Sequence, residues 1–396
     1  MSRLTALLFA ILALLATPAF SADPPRGTTT APAPAAAEPK DDIDPATGLS
    51  RTSVVKPLAD LPTVSEARKG PQVPRNHVAL ILPTSSPALG RVAEAVRQGF
   101  SAAAEISGKD GPPVDVIAVE NEGPALLEAC RAAQAAGALL IVGGMTRDGA
   151  TTLAKSDCTR QPVLALNEPQ AAAVDLPSNL YTGSLSLENE ARQVALMAVA
   201  DGMHGAIIIT SGSPLAKRVQ DAFEREWSRD AGALVARITF TGNADDAPLI
   251  RDKLAGVNAD MVFLALDQPE ARMVRPYVSA MLPIYATSMS VNPRAETVVN
   301  VDLQGVRYVE MPWFVQPDHP AVMVYPAPRG MPIEEERLYA FGIDAYRISI
   351  QLLKGDKRAP IDGVTGKLTL EPPAQYARTL TPAEVDGGRV IPMRTQ

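Results

Sequence analysis

A chain of 396 residues, 46% hydrophobic and 20% charged, is long enough to bury a large core. Its formal net charge of −7 leaves no basic excess, and phosphate-backbone recognition needs clustered Lys and Arg, so nucleic acid is not an expected partner. Two cysteines and three widely separated histidines (His77, His204 and His319) do not make the spacing of a metal site, and no cofactor is expected.

The first residues read as an export signal. Arg3 precedes the apolar run 6–16, and Ala19 and Ser21 supply the small residues of a cleavage site. Residues 1–21 are expected to be a signal peptide, and losing Arg3 with them takes the net charge from −7 to −8. That run is too short for a bilayer span, which takes about 20 residues. No later stretch reaches that length without charges, so no transmembrane segment is expected. Ala22 stands where a lipoprotein would carry cysteine. The expected location is the periplasm.

Residues 22–75 hold ten prolines and almost no periodic apolar pattern. Such a stretch buries too little apolar surface to offset its ordering entropy. It reads as a Pro/Ala-rich disordered tether whose coil would reach roughly 40 Å. Ser53 and Lys56 match an S-x-x-K spacing, but they lie in this tether ahead of Pro57, with no K-T-G strand elsewhere, so the match reads as chance.

From residue 76 apolar runs alternate with amphipathic helical patterns. "HVALILP", "VDVIAVE", "ALLIVGG", "PVLALN" and "NLYTGS" read as strands, with helices between the first four. The alternation then restarts: a capped helix at "SLENEARQVALMAVADG", the strand "AIIIT", a helix over 213–232, "LVARITFT", "DMVFLALD" and "PIYATS". Strands apolar throughout mean parallel sheets covered on both faces. About 320 such residues exceed one hydrophobic core, which predicts two lobes with a seam near 184–187. "VRYVEMPWF" follows as a strand, 316–332 as an irregular Pro-rich connection, 333–353 as a helix, and Lys367–Leu370 as a closing strand.

Two such lobes in tandem resemble the type I periplasmic binding proteins. Within that superfamily, "HVALILP…GRVAEAVRQGF", "PIYATSMS", "LQGVRYVEMPW", "RLYAFGIDAYRI" and "IDGVTGKLTL" resemble the C-terminal domain of the LppC/LpoA-type penicillin-binding protein activators. The resemblance implies an α/β, two-lobed fold, each lobe a mainly parallel sheet with helices on both faces. It places the first lobe at about 76–184 plus 306–355, and the second at about 185–305 plus 356–396, with "IDGVTGKLTL" closing the second. It further implies a non-catalytic periplasmic regulator that binds and activates a class A penicillin-binding protein. Larger members carry a helical-repeat domain and a lipid anchor where this chain has its tether. The alternative reading is a soluble receptor of an ABC-type transporter for a small polar ligand such as an amino acid.

In this superfamily ligands lie between the lobes, against turns that follow the strands. Candidates from the first lobe are Ser85 and Ser86, then Met145, Thr146 and Arg147 of "VGGMTRDG", Asn167 and Ser184. Ser213 and Asp267 come from the second. The amides of "VGGMTRDG" could cradle an anion or merely start a helix. "TSGSPLAKR" lacks the tyrosine that amino-acid receptors place there, and Asp267 fits a helix N-terminus on dipole grounds alone. Trp313 and Phe314 are partner-contact candidates, weighed against a plug between the lobes. Cys130 and Cys158 fall on successive helical patterns and read either as a disulfide or as two buried thiols.

Overall fold

The computed structural model describes residues 75–170, 176–229 and 232–393. The expected signal peptide, the tether up to residue 74 and the S-x-x-K spacing lie outside the described residues. Two sheets organise the rest. In the first, β1 (His77–Leu82), β2 (Val114–Ala118), β3 (Ala138–Gly143), β4 (Val163–Ala165) and β5 (Leu180–Gly183) run parallel in the order β2-β1-β3-β4-β5. All six residues of β1 are buried, as a strand covered on both faces requires. Helices α1 (Gly90–Ser107), α2 (Pro124–Ala136) and α3 (Arg147–Ala154) cross between these strands.

The second sheet repeats the plan. β6 (Gly205–Thr210), β7 (Ala233–Thr239), β8 (Met261–Ala265), β9 (Ile284–Ala286) and β10 (Val306–Glu310) are parallel in the order β7-β6-β8-β9-β10. Its helices are α4 (Leu187–Ala200), α5 (Pro214–Arg229), α6 (Ala247–Leu254), α7 (Gln268–Val274) and the single turn α8 (Thr297–Asn300). Both sheets therefore have the doubly wound order whose switch point faces a crevice at the strand C-termini.

The late segments depart from the expected division. β10 belongs to the second sheet, although 306–355 was expected in the first lobe. The chain then turns through α9 (Pro312–Val315) to α10 (Ile333–Lys354), which lies against α1 of the first lobe. β11 (Ile361–Asp362), β12 (Lys367–Glu371) and β13 (Gln375–Thr379) extend the first sheet, with β13 parallel to β5 and the others antiparallel. Thus "IDGVTGKLTL" closes the first lobe. Only β14 (Thr381–Asp386) and β15 (Arg389–Pro392) return to the second, where β14 pairs antiparallel with β10.

The reason for this placement is visible in the side chains. Asp344 of α10 is fully buried and accepts from the Val364 and Thr365 amides at 3.0 and 2.8 Å and from the Thr365 hydroxyl at 2.6 Å. The turn between β11 and β12 is thereby wrapped around a carboxylate of the first lobe. Gly363 is required there, since a Cβ would lie 2.5 Å from Asp344 Oδ2. The helix pair beneath also depends on missing side chains. A Cβ at Gly99 would sit 1.8 Å from the Tyr339 carbonyl oxygen, and one at Gly342 would sit 2.2 Å from that of Val96.

One apolar cluster runs through both lobes. It joins Leu80, Val96 and Phe100 of the first to Val194, Ile208, Phe223 and Phe263 of the second, through Val309, Met311 and Trp313. On the outer face of the first sheet, Cys130 of α2 and Cys158 are buried and joined as a disulfide across a Cα separation of 6.1 Å. Among the described residues no helix is long and apolar enough to cross a membrane.

Candidate functional site

Between the lobes, at the C-terminal ends of the first sheet's strands, lies a cavity of about 250 Å³. Met145, Arg147, Asn167 and Ser184 line it together with Glu168, Glu188 and Arg218, over an apolar floor from Val96, Leu338 and Phe341. Four of the nine cleft candidates are therefore brought together. Ser85 and Ser86 sit in the turn after β1 and do not line this cavity; Ser86 Oγ accepts from the Leu89 amide at 3.4 Å. Ser213 Oγ accepts from the Ala216 amide at the start of α5. Asp267 caps α7 in a reciprocal box with Glu270. These two serve helix ends.

The anion cradle predicted at "VGGMTRDG" is filled by the protein itself. Glu122, 8% exposed, accepts from the Met145 and Thr146 amides at 2.6 and 2.7 Å and from the Thr146 hydroxyl at 2.5 Å. Thr146 Oγ1 in turn accepts from the Gly149 amide and caps α3. Charge-assisted bonds of this kind are about twice as strong as neutral ones. Thr146 thus belongs to a closed internal network.

The remaining polar groups are also engaged. Glu188, in the first turn of α4, takes Arg147 Nη2 from the first lobe and Arg218 Nε from the second, each at 3.0 Å. Burial works to raise its carboxyl, but a backbone amide and the two guanidiniums outweigh it and hold it below the ordinary carboxylate range. Glu168 Oε1 accepts from Ser184 Oγ at 2.8 Å and Gln375 Nε2 at 2.7 Å. Asn167 Nδ2 donates to the Met145 carbonyl at 2.8 Å.

Behind the cavity the lobes are joined by buried ions. Glu310 of β10 is fully buried and takes both terminal nitrogens of Arg337 of α10, at 2.6 and 2.8 Å. Glu336 binds Arg294 Nη2 at 2.7 Å and the Trp313 indole Nε1 at 2.8 Å. Glu190 of α4, fully enclosed, accepts from the Ser288 amide at 3.0 Å. Burial pushes its carboxyl up, against the pull of Arg337 and Arg378.

These contacts decide between the two readings of "MPWFVQP". Trp313 is 3% exposed and cannot serve as a surface anchor; it plugs the junction between lobes. Phe314 is half-buried, with Arg294 and Arg337 over its ring at 5.1 and 5.0 Å. Exposed apolar residues come only further along the connection, at Met323 and Val324.

Sequence reasoning missed Glu122, Glu310, Arg337 and Arg378. Glu122 and Thr146 are joined only by the fold, and no local spacing marks them. Glu188 stood in plain view as an acid in a first turn, where the helix dipole alone accounts for it. No group of His, Cys, Asp and Glu that could hold a metal ion occurs among the described residues.

The LppC putative lipoprotein family model matches residues 65–388. The penicillin-binding protein activator LpoA of Photobacterium profundum is 25% identical over 353 residues, covering 78% of this chain and 56% of its own length. The chain spans about half the length of the curated relatives it matches. A structure described as a putative branched-chain amino acid ABC transporter from Chromobacterium violaceum is 35% identical. It superposes with a TM-score of 0.68 over 78% of this chain and all of that one. The LpoA C-domain from Haemophilus influenzae, described as a regulator of PBP1A, gives a TM-score of 0.68 at 22% identity, over 81% of this chain and all of its own. This last likeness speaks to fold alone.

Proposed function

Because this chain belongs to the LppC family, we propose that it is a non-catalytic periplasmic regulator that binds and activates a class A penicillin-binding protein. One observation carries the reading: the amide cradle and the acid side chains of the interlobe cleft are taken up by the protein's own groups. A receptor needs unpaired donors and acceptors waiting for its ligand. Here Glu122 fills the amide cradle, Glu188 holds Arg147 and Arg218, and Glu168 holds Ser184 and Gln375. The apolar cluster common to both lobes and the Glu310–Arg337 pair favour a closed body that works through its surface. Names of the curated relatives agree with this reading. Activation then consists of binding the active form of the synthase better than the inactive one.

The second reading is a solute receptor, and the 35% identity to the Chromobacterium violaceum protein favours it. The same cavity, lined by Asn167, Ser184 and Arg147, would take a small polar ligand. The two readings separate in one pair of assays. Surface-immobilised class A synthase ectodomain should bind residues 22–396 saturably, while amino acids and aromatic acids leave the melting temperature unchanged. A ligand at 100 times its Kd adds about 2.7 kcal/mol, so a clear shift with no synthase binding would select the receptor.

A further inference from the structure

At the outer mouth of the cleft, an open hollow of about 340 Å³ gathers four arginines from three elements. They are Arg147 at the start of α3, Arg192 of α4, and Arg218 and Arg225 of α5. Few of their donors are spent. Arg147 and Arg218 each give one bond to Glu188, and Arg192 gives one to Asn189 Oδ1 at 2.8 Å. Arg225 is exposed, and among the described residues it has no hydrogen-bond or ion-pair partner.

The local acids cannot use what remains. Four guanidiniums face three carboxylates: Glu188 is shared by Arg147 and Arg218, Glu168 turns inward to Ser184 and Gln375, and Asp221 completes the set, so one positive charge is in excess and Arg192 and Arg225 have no ion pair among the described residues. This happens on a chain whose formal net charge is −7. Guanidiniums present planar forks that match carboxylates in paired bonds. A hollow of this size admits side chains, and its openness to solvent makes any single small anion a weakly held guest.

Resting on the regulator reading above, we propose that this hollow is where an acidic segment of the protein partner docks, its Asp and Glu side chains entering between Arg192 and Arg225. Charge complementarity of this kind sets orientation and speeds encounter, and it is lost as salt rises.

The test is the affinity of residues 22–396 for a class A synthase ectodomain, measured for wild type, for the double variant Arg192→Glu/Arg225→Glu, and for Arg389→Glu on the edge strand β15. Single Arg225→Glu serves if the double variant melts early. The hollow variants should bind at least about tenfold more weakly, with a shallower salt dependence, while Arg389→Glu binds like wild type. Three results would overturn the proposal: hollow variants that bind like wild type, an equal loss in Arg389→Glu, or a melting shift with millimolar inorganic pyrophosphate that the variants abolish without any change in synthase binding. Failure of wild type itself to bind any synthase would instead sink the regulator reading.

Discussion

Removing Arg337 should be one of the most damaging single changes in the chain. Its guanidinium spans the two lobes to a carboxylate with no solvent access, and its own side chain is 14% exposed. Arg337→Leu leaves Glu310 buried without its partner and takes a neighbouring cation from Glu190. Breaking a buried pair in this one-sided way costs about 3–5 kcal/mol. For roughly 320 folded residues the unfolding entropy is about 0.7 kcal/mol/K, so the melting temperature should fall by about 4–7 °C. The double variant Glu310→Leu/Arg337→Leu removes both charges and should recover at least half of that loss. Urea titration of the wild type, both single variants and the double variant closes the cycle. A double variant as unstable as the sum of the singles would refute the claim that an uncompensated charge, rather than lost packing, is the cost.

Other expectations follow from the same contacts. Gly342→Ala should destabilise by more than about 2 kcal/mol, because its methyl meets backbone that cannot step aside; chemical denaturation measures it. Cys130→Ala/Cys158→Ala opens a 28-residue loop, which on the chain-entropy account costs about 3.6 kcal/mol, and dithiothreitol should lower the wild-type melting temperature alone. Burial raises the Glu190 and Asp344 carboxyls, so the folded state holds their protons more tightly than the unfolded chain. Their contribution is full below the unfolded carboxylate range and is lost as pH rises through the folded-state values. Glu190→Gln should therefore gain stability over wild type at pH 8 relative to pH 5; an identical pH profile for both proteins would contradict this.

How far the sequence reveals this molecule depends on the range of the contact that decides each element. The parallel strands are legible because burial on both faces leaves continuous apolar runs such as His77–Leu82. The final strands are not. β13 and β14 are separated by Leu380 alone, yet they lie in different sheets, so the chain changes lobes with no turn residue to announce it. Their alternating burial, in "QYARTLTPAEVD", resembles a polar loop because every second residue faces outward. Trp313 shows the same limit from the side of the site. An aromatic in a Pro-rich stretch fits a surface anchor as well as a plug between lobes, and only Glu336 and Tyr339, over twenty residues on, show that it is buried. The resemblance put "RLYAFGIDAYRI" and "IDGVTGKLTL" in different lobes, whereas Asp344 of the one and Thr365 of the other are in direct contact, a pairing that neither motif announces.

Regulation of a synthase is read from the rate of peptidoglycan synthesis. Purified residues 22–396 would be added in increasing amounts to a class A penicillin-binding protein turning over lipid-linked precursor, with cross-linked product followed over time. The rate should rise and saturate with concentration. A rate that stays flat at concentrations where the two proteins form a complex would contradict it.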